Sequence, residues 1–272
     1  MNFYSLLQLL FLLFIVISTN SATAEQGGGL PRYLTSATCA TCHQQQFDAW
    51  SNSHHGWAWR EPVSENVLGD FNKTKYTHAG FTYQFLKEYD EYFIVADNPS
   101  GKAKKYKVHS VAGVTPLQQY LLDIGDGRLQ ALDIAWDTVN KSWYHLYPNQ
   151  NTSAGNGMHW TGSYKNWNSR CAECHATDFR KNYDPLKDSY NSQQAEIGVG
   201  CEACHGPGEA HIEWAKIPEK FEEKKWKDVD LMGLRQPYIK NSAASEINLC
   251  AGCHSRREPI GANSPAPGSL YD

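Results

Sequence analysis

The chain is 272 residues long, 41% hydrophobic and 20% charged, with 12% aromatic residues and a formal net charge of −4 at pH 7. That is enough apolar material for one or two domains with a core. The slightly acidic balance lacks the basic footprint that nucleic acid or an anionic membrane surface would require.

Residues 1–24 read as a secretory signal peptide. The run from Leu6 to Ile17 carries no charge, and Ala22-Thr23-Ala24 is a small-residue cleavage site before Glu25. The run is shorter than the about 20 apolar residues of a transmembrane helix. No Lys or Arg precedes it, a departure from the usual leader that keeps an uncleaved anchor as the minor alternative. The mature chain is therefore expected in the periplasm or outside the cell, with no membrane span.

Residues 25–70 follow as a first segment. The glycines Gly27-Gly28-Gly29 lead into Cys39-Ala-Thr-Cys42-His43, with Ser36 or Thr38 placed to cap a helix. His43, Phe47, Trp50 and His54 are spaced as one helical face. A continuous helix would set His54 and His55 roughly 16–18 Å from His43. Either one would then serve a neighbouring centre.

Residues 71–148 contain no cysteine and read as a β-rich insert. Phe81–Lys87, Tyr92–Ala96 and Lys104–Val108 are predicted strands, and Leu129–Trp136 with Trp143–Tyr147 a further pair. Thr115-Pro116 is predicted to start a helix. Residues 149–260 are expected to be helical, with a break at Gly206-Pro207-Gly208, a helix through His211 and Trp214, and a solvated helix face over Glu219–Asp230. Residues 261–272 read as a linker-like tail, Ser264-Pro-Ala-Pro-Gly-Ser within it.

The later segment repeats the first motif three times, as Cys171-Ala-Glu-Cys174-His175, Cys201-Glu-Ala-Cys204-His205 and Cys250-Ala-Gly-Cys253-His254. The four copies use all eight cysteines. Cys-x-x-Cys-His is the attachment signal of c-type haem: two thiols one turn apart reach two vinyl groups, and the adjacent imidazole lies under the iron. Zinc ribbons and disulfides also use paired cysteines, but neither needs a histidine after every second one. The expected cofactor is haem c, four copies, covalently bound. The expected fold is a mainly α multihaem cytochrome with a β-rich insert (α+β), organised around four haems.

Seven other histidines are available for the second axial position, against Met158 and Met232 after the leader. Bis-histidine ligation is therefore expected to dominate and to hold the potentials low. The candidates rank as His55, His211, His78 and His159, then His145 and His54. His109, in a predicted strand, is not expected to ligate.

The chain resembles the multihaem c-type cytochromes related to the tetrahaem cytochrome that accepts electrons from hydroxylamine oxidoreductase. The resemblance rests on Phe47-x-x-Trp50-x-x-Ser53-His54-His55-x-x-Ala58 and on Gly198-Val-Gly-Cys201-Glu-Ala-Cys204-His205-Gly-Pro-Gly-Glu-Ala-His211. Pro116-Leu-Gln-Gln-Tyr120, Gly127-Arg-Leu-Gln-Ala-Leu132, Ile134-Ala-Trp-Asp137, His145-Leu-Tyr-Pro148, His159-Trp-Thr-Gly162, Asn166-Trp-Asn168 and Arg180-Lys-Asn-Tyr-Asp184 resemble a subgroup often fused to further haem motifs and helical repeats. The resemblance implies distal ligation by His55 and His211.

The leading expectation is an electron relay between redox protein partners outside the cytoplasmic membrane, not an enzyme. One alternative is an oxidoreductase with one open haem acting on a small nitrogen or sulfur oxyanion. The other is a subunit of a conducting filament, since oligomerisation is left open. No motif ends in lysine, so no haem is marked out for catalysis by its sequence.

Overall fold

The computed structural model describes residues 29–150, 153–226, 229–230, 232–234 and 243–255. The leader and the linker-like tail expected from the sequence lie outside the described residues.

One antiparallel sheet of eight strands dominates. Its strands are β1 (Asn72–His78), β2 (Phe81–Glu88), β3 (Glu91–Asp97), β4 (Ala103–Ala112), β5 (Leu117–Asp123), β6 (Leu129–Ala131), β7 (Ile134–Asp137) and β8 (Ser142–His145). They pair in the order β1-β2-β3-β4-β5-β7-β8, with β6 also on β5. Period-two alternation buries Tyr83 and Phe85 from β2, Tyr92, Ile94 and Ala96 from β3, and Tyr106 and Val108 from β4. The interior is aromatic: Phe71 meets Phe85, Tyr92, Tyr120 and Trp143 edge to face, and Phe85 stacks on Trp143 at 3.5 Å.

The sheet curls until its two ends approach. The Tyr76 hydroxyl of β1 accepts the His145 N–H of β8 at 3.1 Å, and the His78 and His145 rings stack at 4.0 Å. The result is a nearly closed, barrel-like sheet.

The helices are short: α1 (Ser36–Ala40), α2 (Gln44–Ser51), α3 (Trp167–Arg170), α4 (Ala172–His175), α5 (Cys201–His205), α6 (Glu209–Lys216) and α7 (Ala243–His254). The fold is thus β-rich, which overturns the expectation of a mainly α protein. The reason is local. Each of the first three cysteine motifs sits in or beside a helix of only four or five residues, because a porphyrin supplies the packing that a long amphipathic helix would otherwise need. The helix expected through His54 is broken between Ala40 and Gln44 and ends at Ser51.

Two more predicted helices are absent. Thr115-Pro116 is a cis peptide in a turn, and Leu117–Asp123, with Gln118, Tyr120, Leu121 and Leu122 buried, continues as β5. Over Glu219–Asp230 the described residues form only 3-10 turns, Pro218–Lys220 and Glu223–Lys225. Between the second and third motifs lie small hairpins, Tyr183–Asp184 with Ser189–Tyr190 and Ala176–Thr177 with Glu196–Ile197. The strands predicted in the insert are present, Leu129–Trp136 as two, β6 and β7, and β1 and β5 are additional. No described helix is long and apolar enough to cross a membrane.

Candidate functional site

No disulfide joins any of the eight cysteines, which leaves each Cys-x-x-Cys pair with two thiols for attachment. The motifs cluster on one another. Helix α1 packs on α5, bringing the first motif to the third, and α4 packs on α7, bringing the second to the fourth. The thiols of Cys39 and Cys201 interact directly: Cys39 is pushed up and Cys201 held down to about 6, each chiefly by the other. Burial raises the Cys204 thiol, with Cys250 next to it adding to the effect, so the third and fourth motifs also adjoin. In space the motifs run first, third, fourth, second.

Two carboxylates hold the first motif to the third. Glu202, between Cys201 and Cys204, is 2% exposed and accepts the Leu34 N–H at 2.8 Å and the Gly208 N–H at 2.7 Å. Burial raises its carboxyl, against the pull of those two donors. Glu196 accepts both the backbone N–H (3.0 Å) and hydroxyl (2.7 Å) of Ser36, whose oxygen in turn accepts the Cys201 N–H at 3.0 Å. From α2, Trp50 donates to the Val199 carbonyl at 2.7 Å. Sequence reading missed this clamp; Glu beside a haem cysteine was its one visible trace.

The second motif is bolted to the sheet. Asn166 caps α3 by accepting the Ser169 N–H at 2.9 Å, and Asn168 accepts the Leu129 N–H at 2.8 Å while donating to Gly127 and Ser192. Trp167 packs between His175 and Trp59, at 5.0 and 5.4 Å. The Nδ1 of His175 lies 2.9 Å from the Ala58 carbonyl, which fixes it as the donor and leaves Nε2 as the ligating nitrogen. His211 has the same arrangement toward the Met232 carbonyl, also at 2.9 Å.

All eleven histidines are placed. His43 and His211 face each other with ring centres 6.3 Å apart and planes 22° from parallel. His55 and His254 lie 6.0 Å apart at 69°. Two imidazoles on opposite sides of one metal, each with a bond of about 2 Å, have ring centres about 6 Å apart. Both pairs therefore fit a haem iron between them. His54 is exposed beside His55.

Three other candidates lie elsewhere. His78, His145 and His159 line one cavity in the barrel-like sheet, together with Asp97 and Asp133. His109 sits by Trp59, its Nδ1 3.0 Å from the Ser110 hydroxyl. Strand alternation is legible in a sequence, but which strand ends meet is not.

Attachment motifs without disulfides, imidazoles freed at Nε2 and two histidine pairs at iron-spanning distance define a c-type cytochrome. The model of the family described as "Cytochrome c554 and c-prime" matches residues 38–114 and 135–206, more than half of the chain, and the chain belongs to that family. It therefore carries covalently bound haem c. Among solved structures the chain is similar to the outer cell wall cytochrome OcwA, at 20% identity and a TM-score of 0.42 over 68% of this chain and 33% of that one. It is also similar to an undecahaem cytochrome from the S-layer of Carboxydothermus ferrireducens, at 19% identity and a TM-score of 0.42 over 68% and 22%. The chain thus spans a third or less of each. Nothing matches among the curated proteins.

Proposed function

We propose that the protein is a tetrahaem relay that passes electrons between redox protein partners outside the cytoplasmic membrane. Haem attaches at Cys39 and Cys42, Cys171 and Cys174, Cys201 and Cys204, and Cys250 and Cys253, with His43, His175, His205 and His254 as proximal ligands. The observation that carries the reading is the contiguity of the four motifs, which keeps successive haems close. His211 completes the first iron opposite His43, and His55 the fourth opposite His254. Each distal ligand thus comes from a segment attached to a different haem. His211 follows the third motif by six residues, and His55 follows the first by twelve. Such cross-ligation ties the haems into one rigid unit.

Potentiometric titration of the exported protein with electron paramagnetic resonance tests this. Low-potential, low-spin signals from most haems and electron exchange with a small redox protein are expected. Turnover of nitrite, hydroxylamine or sulfite at a high-spin haem would favour chemistry over relay.

One observation supports that second reading, an oxidoreductase with an open haem. His78, His145 and His159 are gathered in the sheet and His109 is at Trp59. Once His55 and His211 are assigned, His54 and His109 are left for the irons at His175 and His205, His109 lying against Trp59, which packs through Trp167 toward His175. Spare histidines therefore do not outnumber the irons that need them.

A further inference from the structure

The three histidines gathered in the barrel-like sheet line a cavity of about 330 Å³, within the size range of small-molecule sites. Most polar groups in its wall are already committed. Asp97 accepts from Trp160 Nε1 at 3.0 Å and from the Tyr83 hydroxyl at 3.2 Å on one oxygen, and meets His159 Nε2 at 2.8 Å on the other. The second ring nitrogen of His159 lies 2.9 Å from the Thr161 hydroxyl, so this imidazole is fully used. Asp133 has Lys165 as its counter-ion at 2.7 Å, and that ammonium also lies 3.8 Å over the Tyr147 ring. Both wall carboxylates therefore have a built-in partner.

The nitrogens of the stacked pair are different. His145 is 6% exposed, and its Nδ1 accepts the Tyr147 N–H at 2.9 Å. The neutral ring must then carry its proton on Nε2, a donor with no partner among the described residues. Burial, with His78 and Lys165 close by, keeps this ring neutral by pushing it down to about 4. An Nε2 that holds its proton is a poor metal ligand and a good donor to oxygen. His78, half-buried at the rim and 4.0 Å away, has no protein hydrogen bond at either ring nitrogen among the described residues. A donor array beside two carboxylates that already face a donor or an ammonium is open to a ligand that brings acceptors.

We propose that this cavity binds a small oxyanion, a carboxylate or inorganic oxyacid, through His145 Nε2–H and the His78 ring. Lys165 neutralises Asp133 in the wall, and the ligand is held by the imidazole donors. The site is separate from the haem motifs and does not depend on how many haems the chain carries.

Calorimetric titration of the holoprotein with acetate, and separately with inorganic phosphate, tests the site, with the Soret band recorded in parallel. One-to-one binding that leaves the Soret band unmoved is expected, weakened about ten-fold or more in both H145Q and H78Q. His78 lies at the rim, so H78Q keeps the test meaningful should H145Q fail to fold. Three results would overturn the proposal: equal affinity in wild type and H78Q, no binding of either anion, or a Soret shift showing that the anion sits on an iron. Stoichiometric Zn(II) binding that both variants lose, without anion binding, would assign the cavity to a metal instead.

Discussion

His43 and His211 come from segments 168 residues apart and face each other with their ring centres 6.3 Å apart. The Met232 carbonyl takes the Nδ1 proton of His211 and so leaves its Nε2 for an iron. His211→Ala is expected to turn one haem high-spin and to let it bind carbon monoxide when reduced. An unchanged optical and magnetic spectrum would refute the pairing.

The doublet His54-His55 gives a sharper comparison, because only His55 meets His254, at 6.0 Å. His55→Ala should open a second haem with the same spectral signature. His54→Ala should leave that haem low-spin, and any change it causes should appear at a different haem.

Intact mass checks the haem count. The exported protein should begin near Glu25 and carry four covalent haems, with four irons per chain. A smaller increment, or zinc in place of iron, would sink the tetrahaem reading.

Glu202→Ala removes the acceptor for two backbone N–H groups, Leu34 and Gly208, in the joint between the first and third motifs. Buried donors left unpaired cost about 1–3 kcal/mol each. The variant should shift its denaturation midpoint accordingly. A midpoint equal to wild type would show that the clamp is dispensable.

His145 should make the fold acid-sensitive. Its ordinary value of 6.5 falls to about 4 in the folded chain, so the native state prefers the neutral ring. The unfolded chain gains its proton first as pH falls. Stability from this group is thus complete above pH 6.5 and is lost between 6.5 and 4. Denaturation midpoints at pH 7 and pH 5 should therefore lie further apart in wild type than in H145Q. An identical pH dependence in the two proteins would contradict this.

The cofactor was legible in the sequence because its chemistry is local: two thiols and an imidazole must sit within five residues to grip one porphyrin. The inner strands were legible too, since Tyr83, Phe85, Tyr92 and Ile94 alternate with the pleat. Helical spacing misled around His43, where the attachment motif interrupts the helix, and a helix-start signal misled at Thr115-Pro116, after which the chain continues as β5. Only the tertiary structure sorted the histidines. His211 comes to His43 where α1 packs on α5, and His55 comes to His254, whereas His78, His145 and His159 are drawn to one cavity by the curl of the sheet. A ligand's residue type is fixed by covalent chemistry along the chain. Which iron it meets depends on contacts between segments more than a hundred residues apart, and those are set by packing.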